Sequence, residues 1–142
     1  MTRANPWLPM FVVWLVSVVA TLGSLFFSEV MLLPPCLLCW YQRIFMYPLV
    51  VVSTIGLVRR DPGSAGYAWP LVLGGLVLAA YHNLLYYGLI AESITPCTRG
   101  ISCTSRQIEW LGFITIPLLS LVGFLTIAGN LLLLRRTLKG RA

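Results

Sequence analysis

The chain has 142 residues, 58% hydrophobic and only 10% charged, with a net charge of +6. A water-soluble domain carries about 25% charged residues, so this composition excludes a soluble globular protein, and its hydrophobicity excludes intrinsic disorder. Nucleic-acid binding is not expected: the ten Lys and Arg residues stand mostly at chain ends and junctions, where membrane orientation accounts for them.

Apolar runs of about 18 residues or more read as transmembrane helices. There are four, at about 7–27, 40–58, 68–91 and 111–134. The first also resembles a signal peptide in following a single basic residue, Arg3. A signal h-region is only about 7–15 residues, and this run continues through Leu25-Phe26-Phe27, so a retained helix is expected. The second run contains Arg43, and the third contains His82, the only histidine. Arg3, Arg59, Arg60, Arg135, Arg136, Lys139 and Arg141 flank one side of the array, against Arg99 and Arg106 on the other. The positive-inside rule then puts both termini in the cytoplasm and the 28–39 and 92–110 segments outside. The expected fold is an all-α integral membrane protein, an antiparallel four-helix bundle with two short outer loops, forming a single domain over residues 1–142. Gly74-Gly75, Ala79-Ala80 and Gly123 are expected at helix interfaces, and Pro48 and Pro117 are candidate kinks.

All four cysteines fall on the outer side. Cys36 and Cys39 form a Cys-x-x-Cys at the mouth of the second helix, and Cys97 and Cys103 bracket the second outer loop. Even number, paired spacing and an oxidising compartment point to disulfide chemistry. For Cys97 and Cys103 a structural staple and a redox pair are both open. For Cys36 and Cys39 a staple is the weaker reading, because so short a ring gains little loop entropy. A four-cysteine zinc site is disfavoured by the loose second spacing and the oxidising side, so no metal is expected. Pro34-Pro35 before Cys36 suits a helix start, where unsatisfied N–H groups favour a reactive thiolate.

Arg43 follows Cys39 by four residues and Cys36 by seven, which puts the three on one narrow helical face. A charge inside a span is costly enough to suggest function, either holding a ligand oxygen or favouring the Cys39 thiolate. His82, beside Tyr81, reads equally as a hydrogen-bonded packing residue and as part of a polar site that holds or protonates a carbonyl. Exchange between two cysteine pairs moves oxidising equivalents without creating them. The sequence carries no flavin or haem pattern, so a lipid-soluble quinone at the level of Cys36 and Cys39 is the fitting acceptor.

The string Cys36-Leu-Leu-Cys39-Trp40-Tyr41-Gln42-Arg43, at the start of the second of four helices, resembles the signature of the DsbB/BdbC family of disulfide-bond formation proteins. The later outer pair and Tyr81-His82 resemble that family too. The resemblance implies a bacterial inner-membrane thiol:quinone oxidoreductase that reoxidises a thioredoxin-like thiol oxidase (DsbA/BdbD-like) and passes electrons to ubiquinone or menaquinone. By the same resemblance, Cys97 and Cys103 are the loop pair that accepts the partner's electrons, with Cys97 the site of the mixed disulfide. Cys36 exchanges with the loop, Cys39 stands beside the quinone, and Arg43 and His82 contact it. The short spacing between Cys97 and Cys103 matches the BdbC-like branch rather than the long-loop one. Vitamin K epoxide reductases share the helix-mouth motif but carry their loop pair earlier in the chain. A proton-coupled transporter lacks its intramembrane carboxylate here, since Glu29, Asp61, Glu92 and Glu109 lie at helix ends or in loops. A non-enzymatic scaffold with structural disulfides remains the other alternative.

Overall fold

The computed structural model of the protein describes residues 5–91, 102–104, 109–110 and 114–140. Helix α1 (Trp7–Leu25) runs on into a π-helical turn over Phe26–Val30, followed by α2 (Leu37–Val58), α3 (Ala65–Tyr86) and α4 (Ile116–Lys139). A two-stranded antiparallel pair, β1 (Glu109–Trp110) and β2 (Ile114–Thr115), leads into α4, with Glu109 opposite Thr115 and Trp110 opposite Ile114. With the π turn and the 3₁₀ turn Pro62–Ser64 included, the helical spans are 22 to 25 residues long. At the rise of an α-helix, each reaches across a hydrocarbon core of about 30 Å.

The spans form a closed ring in which α1 and α3 each pack on both α2 and α4. Contacts between neighbours run antiparallel. Trp14 meets Thr54 while Ser24 meets Arg43, and Gly75 lies against Phe124 while Asn83 reaches Pro117. The 59–64 link therefore shares one end of the bundle with the start of α1 and the end of α4, and the start of α2 shares the other with the approach to α4. Met10, Val13, Met46, Leu49, Val72, Ala79, Phe124, Ile127 and Leu131 form the core. Val19, Ile44, Val51, Val77 and Leu125 point outward, as lipid-facing residues should.

Lipid removes the hydrophobic force between helices, leaving close packing and hydrogen bonds to hold them. Gly74 makes room for the Phe45 ring and Gly75 for that of Phe124. Gly123, expected at an interface, has nothing within 4 Å of where a Cβ would stand. Asn83 Nδ2 donates to Pro117 O on α4 at 2.8 Å and to Ala79 O at 2.8 Å.

Several helix ends differ from the sequence reading, α3 starting at Ala65 and α4 running on to Lys139 among them, and three have a clear local reason. Helix α2 starts at Leu37 because Pro34-Pro35 and an extended Cys36 (φ −69°, ψ 168°) set up its N-terminus. Helix α3 stops at Tyr86 because Gly88 takes φ +75°, letting Gly88 N–H bond Leu85 O and Leu89 N–H bond Leu84 O. Helix α4 starts at Ile116, capped by the Thr115 hydroxyl, which accepts from Leu118 N–H at 3.4 Å. Pro117 thus lies in the first turn, where no helical hydrogen bond exists to lose, and it is not a kink. Pro48 does stand inside α2.

Candidate active site at the mouth of α2

Cys36 is the N-cap residue of α2 and Cys39 lies in its first turn. Both are free thiols, with their sulfurs 2.9 Å apart. Cys36 is buried, while Cys39 is partly exposed. The inward stripe of α2 continues through Leu38, Gln42 and Met46. A buried amide in an apolar stripe needs a partner, and Gln42 finds it in His82 across the α2–α3 interface, Nε2 to Nδ1 at 3.4 Å.

His82 is 1% exposed and stands between the two cysteine systems. Its Nε2 is 3.9 Å from Cys36 Sγ and 3.3 Å from the backbone carbonyl of Cys103. With Gln42 donating to Nδ1, the ring proton sits on Nε2, which donates to the Cys103 carbonyl and faces the Cys36 sulfur. Cys103 is disulfide-bonded and buried, in a cluster with Cys36, Leu38 and Leu85. Cys97 lies outside the described residues, as do Arg99 and Arg106.

Cys36 sits one residue outside the membrane span, at the positive end of the helix dipole. A hydrogen bond from the Cys39 thiol holds its pKa well below the ordinary thiol range, at about 4; burial opposes the shift and His82 adds to it. The Cys36 sulfur is therefore a stable thiolate at neutral pH.

Arg43 reaches toward α1. Its Nε donates to Ser24 Oγ at 2.8 Å, its Nη2 donates to Ser24 O at 3.0 Å, and its guanidinium lies 5.2 Å from the centre of the Trp40 ring. Nη1 has no hydrogen-bond partner among the described residues. Ser24 lies two residues before the π turn, a backbone irregularity that recurs at functional sites.

The structure thus gathers Cys36, Cys39, His82 and Cys103 into one cluster and sets Arg43 beside it on the α1 side. Sequence reasoning gave Gln42 no role beyond its place in the Cys36–Arg43 string, and gave Ser24 none. Gln42 was legible as the one amide in the inward stripe of α2. Nothing in the spacing of Ser24 marked it as the partner of Arg43.

A four-helix membrane bundle with a free Cys-x-x-Cys at a helix mouth, packed against a disulfide-bonded cysteine from another segment, defines a membrane protein of thiol–disulfide chemistry. Residues 7–134 match the family model described as disulfide bond formation protein DsbB. The chain is 44% identical to a probable disulfide formation protein C 1 of Bacillus anthracis over 84% of its own length and 86% of that relative. It is 44% identical to a probable disulfide formation protein of Metapseudomonas resinovorans, covering 92% and 91% of the two chains. It is 42% identical to the disulfide bond formation protein C of Bacillus subtilis, covering 80% and 83%. No solved structure matches the chain. The chain belongs to the DsbB family of membrane disulfide-bond formation proteins.

Proposed function

We propose that the protein is a thiol:quinone oxidoreductase that reoxidises an extracytoplasmic thioredoxin-like thiol oxidase. The observation that carries this reading is His82, which touches Cys36 and the Cys103 backbone at once and so brings the two cysteine systems into register. The partner's dithiol attacks the loop disulfide at Cys97 and leaves oxidised, freeing the Cys103 thiolate. Cys103 then attacks Cys36 of an oxidised Cys36–Cys39 pair, the bond to Cys39 breaks, and Cys97 resolves the Cys103–Cys36 link. The loop is again a disulfide and the helix pair a dithiol. The observed state, with Cys103 disulfide-bonded and Cys36 and Cys39 free, corresponds to this stage.

Three features support a quinone site beside Cys39. Cys39 is partly exposed, Trp40 is exposed on the bundle surface, and Arg43 keeps Nη1 available as a carbonyl donor. A membrane quinone held there supplies the acceptor for the two electrons and two protons released when Cys36 and Cys39 close. Arg43 orients the carbonyl, and Ser24 fixes Arg43. His82, by its contacts with Cys36 and the Cys103 carbonyl, also serves the exchange between pairs.

The test is anaerobic mixing of the purified protein with a reduced thioredoxin-like oxidase and either ubiquinone or menaquinone. Partner oxidation beyond the one equivalent supplied by the loop disulfide should require quinone and stop in Cys36→Ser. Turnover beyond one equivalent that survives Cys36→Ser would refute the reading. Mixed instead with the partner in its disulfide form, Cys103→Ser should trap a mixed disulfide in which Cys97 has displaced one of the partner's sulfurs as a thiolate, visible on a non-reducing gel. An adduct that forms only with Cys97→Ser would reverse the loop roles.

A further inference from the structure

We propose that the reduced site is also a zinc site, formed by Cys36 Sγ, Cys39 Sγ and His82 Nε2. These three atoms lie within 4.8 Å of one another. The donor set differs from the four-cysteine arrangement that spacing alone brings to mind. Cys103 is tied up in a disulfide, and an imidazole from α3 takes the third position instead.

The chemistry of the set favours Zn²⁺. Two thiolates and a neutral imidazole give a complex of zero net charge, which is the least costly state at a buried membrane mouth. Monovalent copper in the same set would leave a net negative charge. Tetrahedral zinc with ordinary bond lengths wants sulfurs about 3.8 Å apart and sulfur–nitrogen separations of about 3.6 Å. The 3.9 Å from Cys36 Sγ to His82 Nε2 is close to that, and the 2.9 Å between sulfurs opens by rotation about the cysteine side-chain bonds. Gln42 supplies the outer support that metal-bound histidines use. Its amide already lies 3.4 Å from Nδ1, and turning it over presents Oε1 to accept from Nδ1–H, freeing Nε2 for the metal. The fourth position is left to water.

Binding releases the proton that Cys39 still carries and transfers no electrons, since zinc is redox-inert. The site exists only while Cys36 and Cys39 are both reduced, so zinc holds the pair as a dithiolate and withdraws it from disulfide formation. Resting on the thiol-oxidoreductase reading, this makes the metal a reversible brake on the oxidase.

The experiment uses full-length protein in detergent, brought by limiting reductant to two free thiols per chain and then freed of reductant under argon, titrated with Co²⁺ as a spectroscopic probe and then with Zn²⁺ against a chromophoric chelator. One equivalent should bind, with sulfur-to-cobalt charge-transfer intensity of two thiolates, and none should bind once the Cys36–Cys39 pair is oxidised. Cys36→Ser should abolish binding, His82→Ala should weaken it at least tenfold, and the Cys97→Ser/Cys103→Ser double variant should bind as the parent does. Binding unaffected by His82→Ala, lost in the loop double variant, or showing four thiolates per metal would overturn the site. The thiolate count keeps the test decisive if His82→Ala does not fold. Zinc-free partner oxidation, measured on the same preparation, separates the two readings. Normal oxidation without metal binding refutes the zinc site alone. Normal metal binding without oxidation refutes the redox reading and the brake.

Discussion

At the scale of single residues, two charges decide the chemistry, the Cys36 thiolate and the Arg43 guanidinium. The Cys39 hydrogen bond lowers the Cys36 pKa to about 4, so Cys36 stays a thiolate above that value and becomes a thiol only below it. Alkylation of Cys36 in the reduced protein should accordingly hold a flat rate from pH 8 to near pH 5 and fall as pH drops through the folded pKa. Cys39→Ala removes the first cause of the shift and should move that fall upward; mass spectrometry of the labelled peptide reads both. For Arg43, Arg43→Met should raise the apparent KM for quinone roughly ten- to a hundredfold, since a charged hydrogen bond contributes about 1.5–3 kcal/mol. Single-turnover exchange with the partner should be nearly unchanged, because it takes place at the loop pair. Ser24→Ala leaves the charge and removes only its anchor, so its effect on KM should be smaller. If exchange collapses in Arg43→Met while KM holds, Arg43 acts on the thiolates instead.

At the scale of elements, the helix ends carry the most specific demands. Helix α2 closes as a Schellman motif: Asp61 N–H reaches Gly56 O at 3.0 Å, Arg60 N–H reaches Leu57 O at 3.3 Å, and Arg60 takes φ +50°. A residue carrying a Cβ is strained at that angle, and Gly relieves it. Arg60→Gly should raise stability by about 0.5–1 kcal/mol, whereas Gly88→Ala, at φ +75°, should lower it by about as much. Thermal unfolding in detergent measures both, and equal shifts of one sign would refute the argument. The boundaries were the least legible part of the sequence for the same reason. Apolar periodicity runs straight through residues 87–91 and 111–115, and only the backbone angles of Gly88 and Thr115 end the helices there.

At the scale of the molecule, the number of spans and their helical nature were legible because four long apolar runs admit no other structure in a bilayer. The Cys-x-x-Cys was legible as well, since Pro34-Pro35 and Cys36 announce a helix start. Contacts between helices were not. The Gln42–His82 pair joins residues 40 positions apart, and the turn of Arg43 toward Ser24 depends on which neighbour α2 meets. The arginine asymmetry predicts a cytoplasmic end holding both termini and the 59–64 link. In a cysteine-free background, Gly66→Cys should resist a membrane-impermeant thiol reagent in intact cells, and Leu32→Cys should react. Gly66 is exposed with open space at its Cβ, and Leu32 is 78% exposed, so burial does not confound either label. Labelling of Gly66→Cys alone would invert the topology.

The Arg43–Ser24 bond also bears on how the protein is made. A chain emerging from the ribosome delivers α1 to the membrane before α2, so the guanidinium enters the bilayer with its acceptor already waiting. Arriving as a hairpin, the two helices spare the second the cost of a lone charge in hydrocarbon. The first helix is thus a biogenesis partner for the second, and a chain lacking it would present the membrane-insertion machinery with a segment it is inclined to reject.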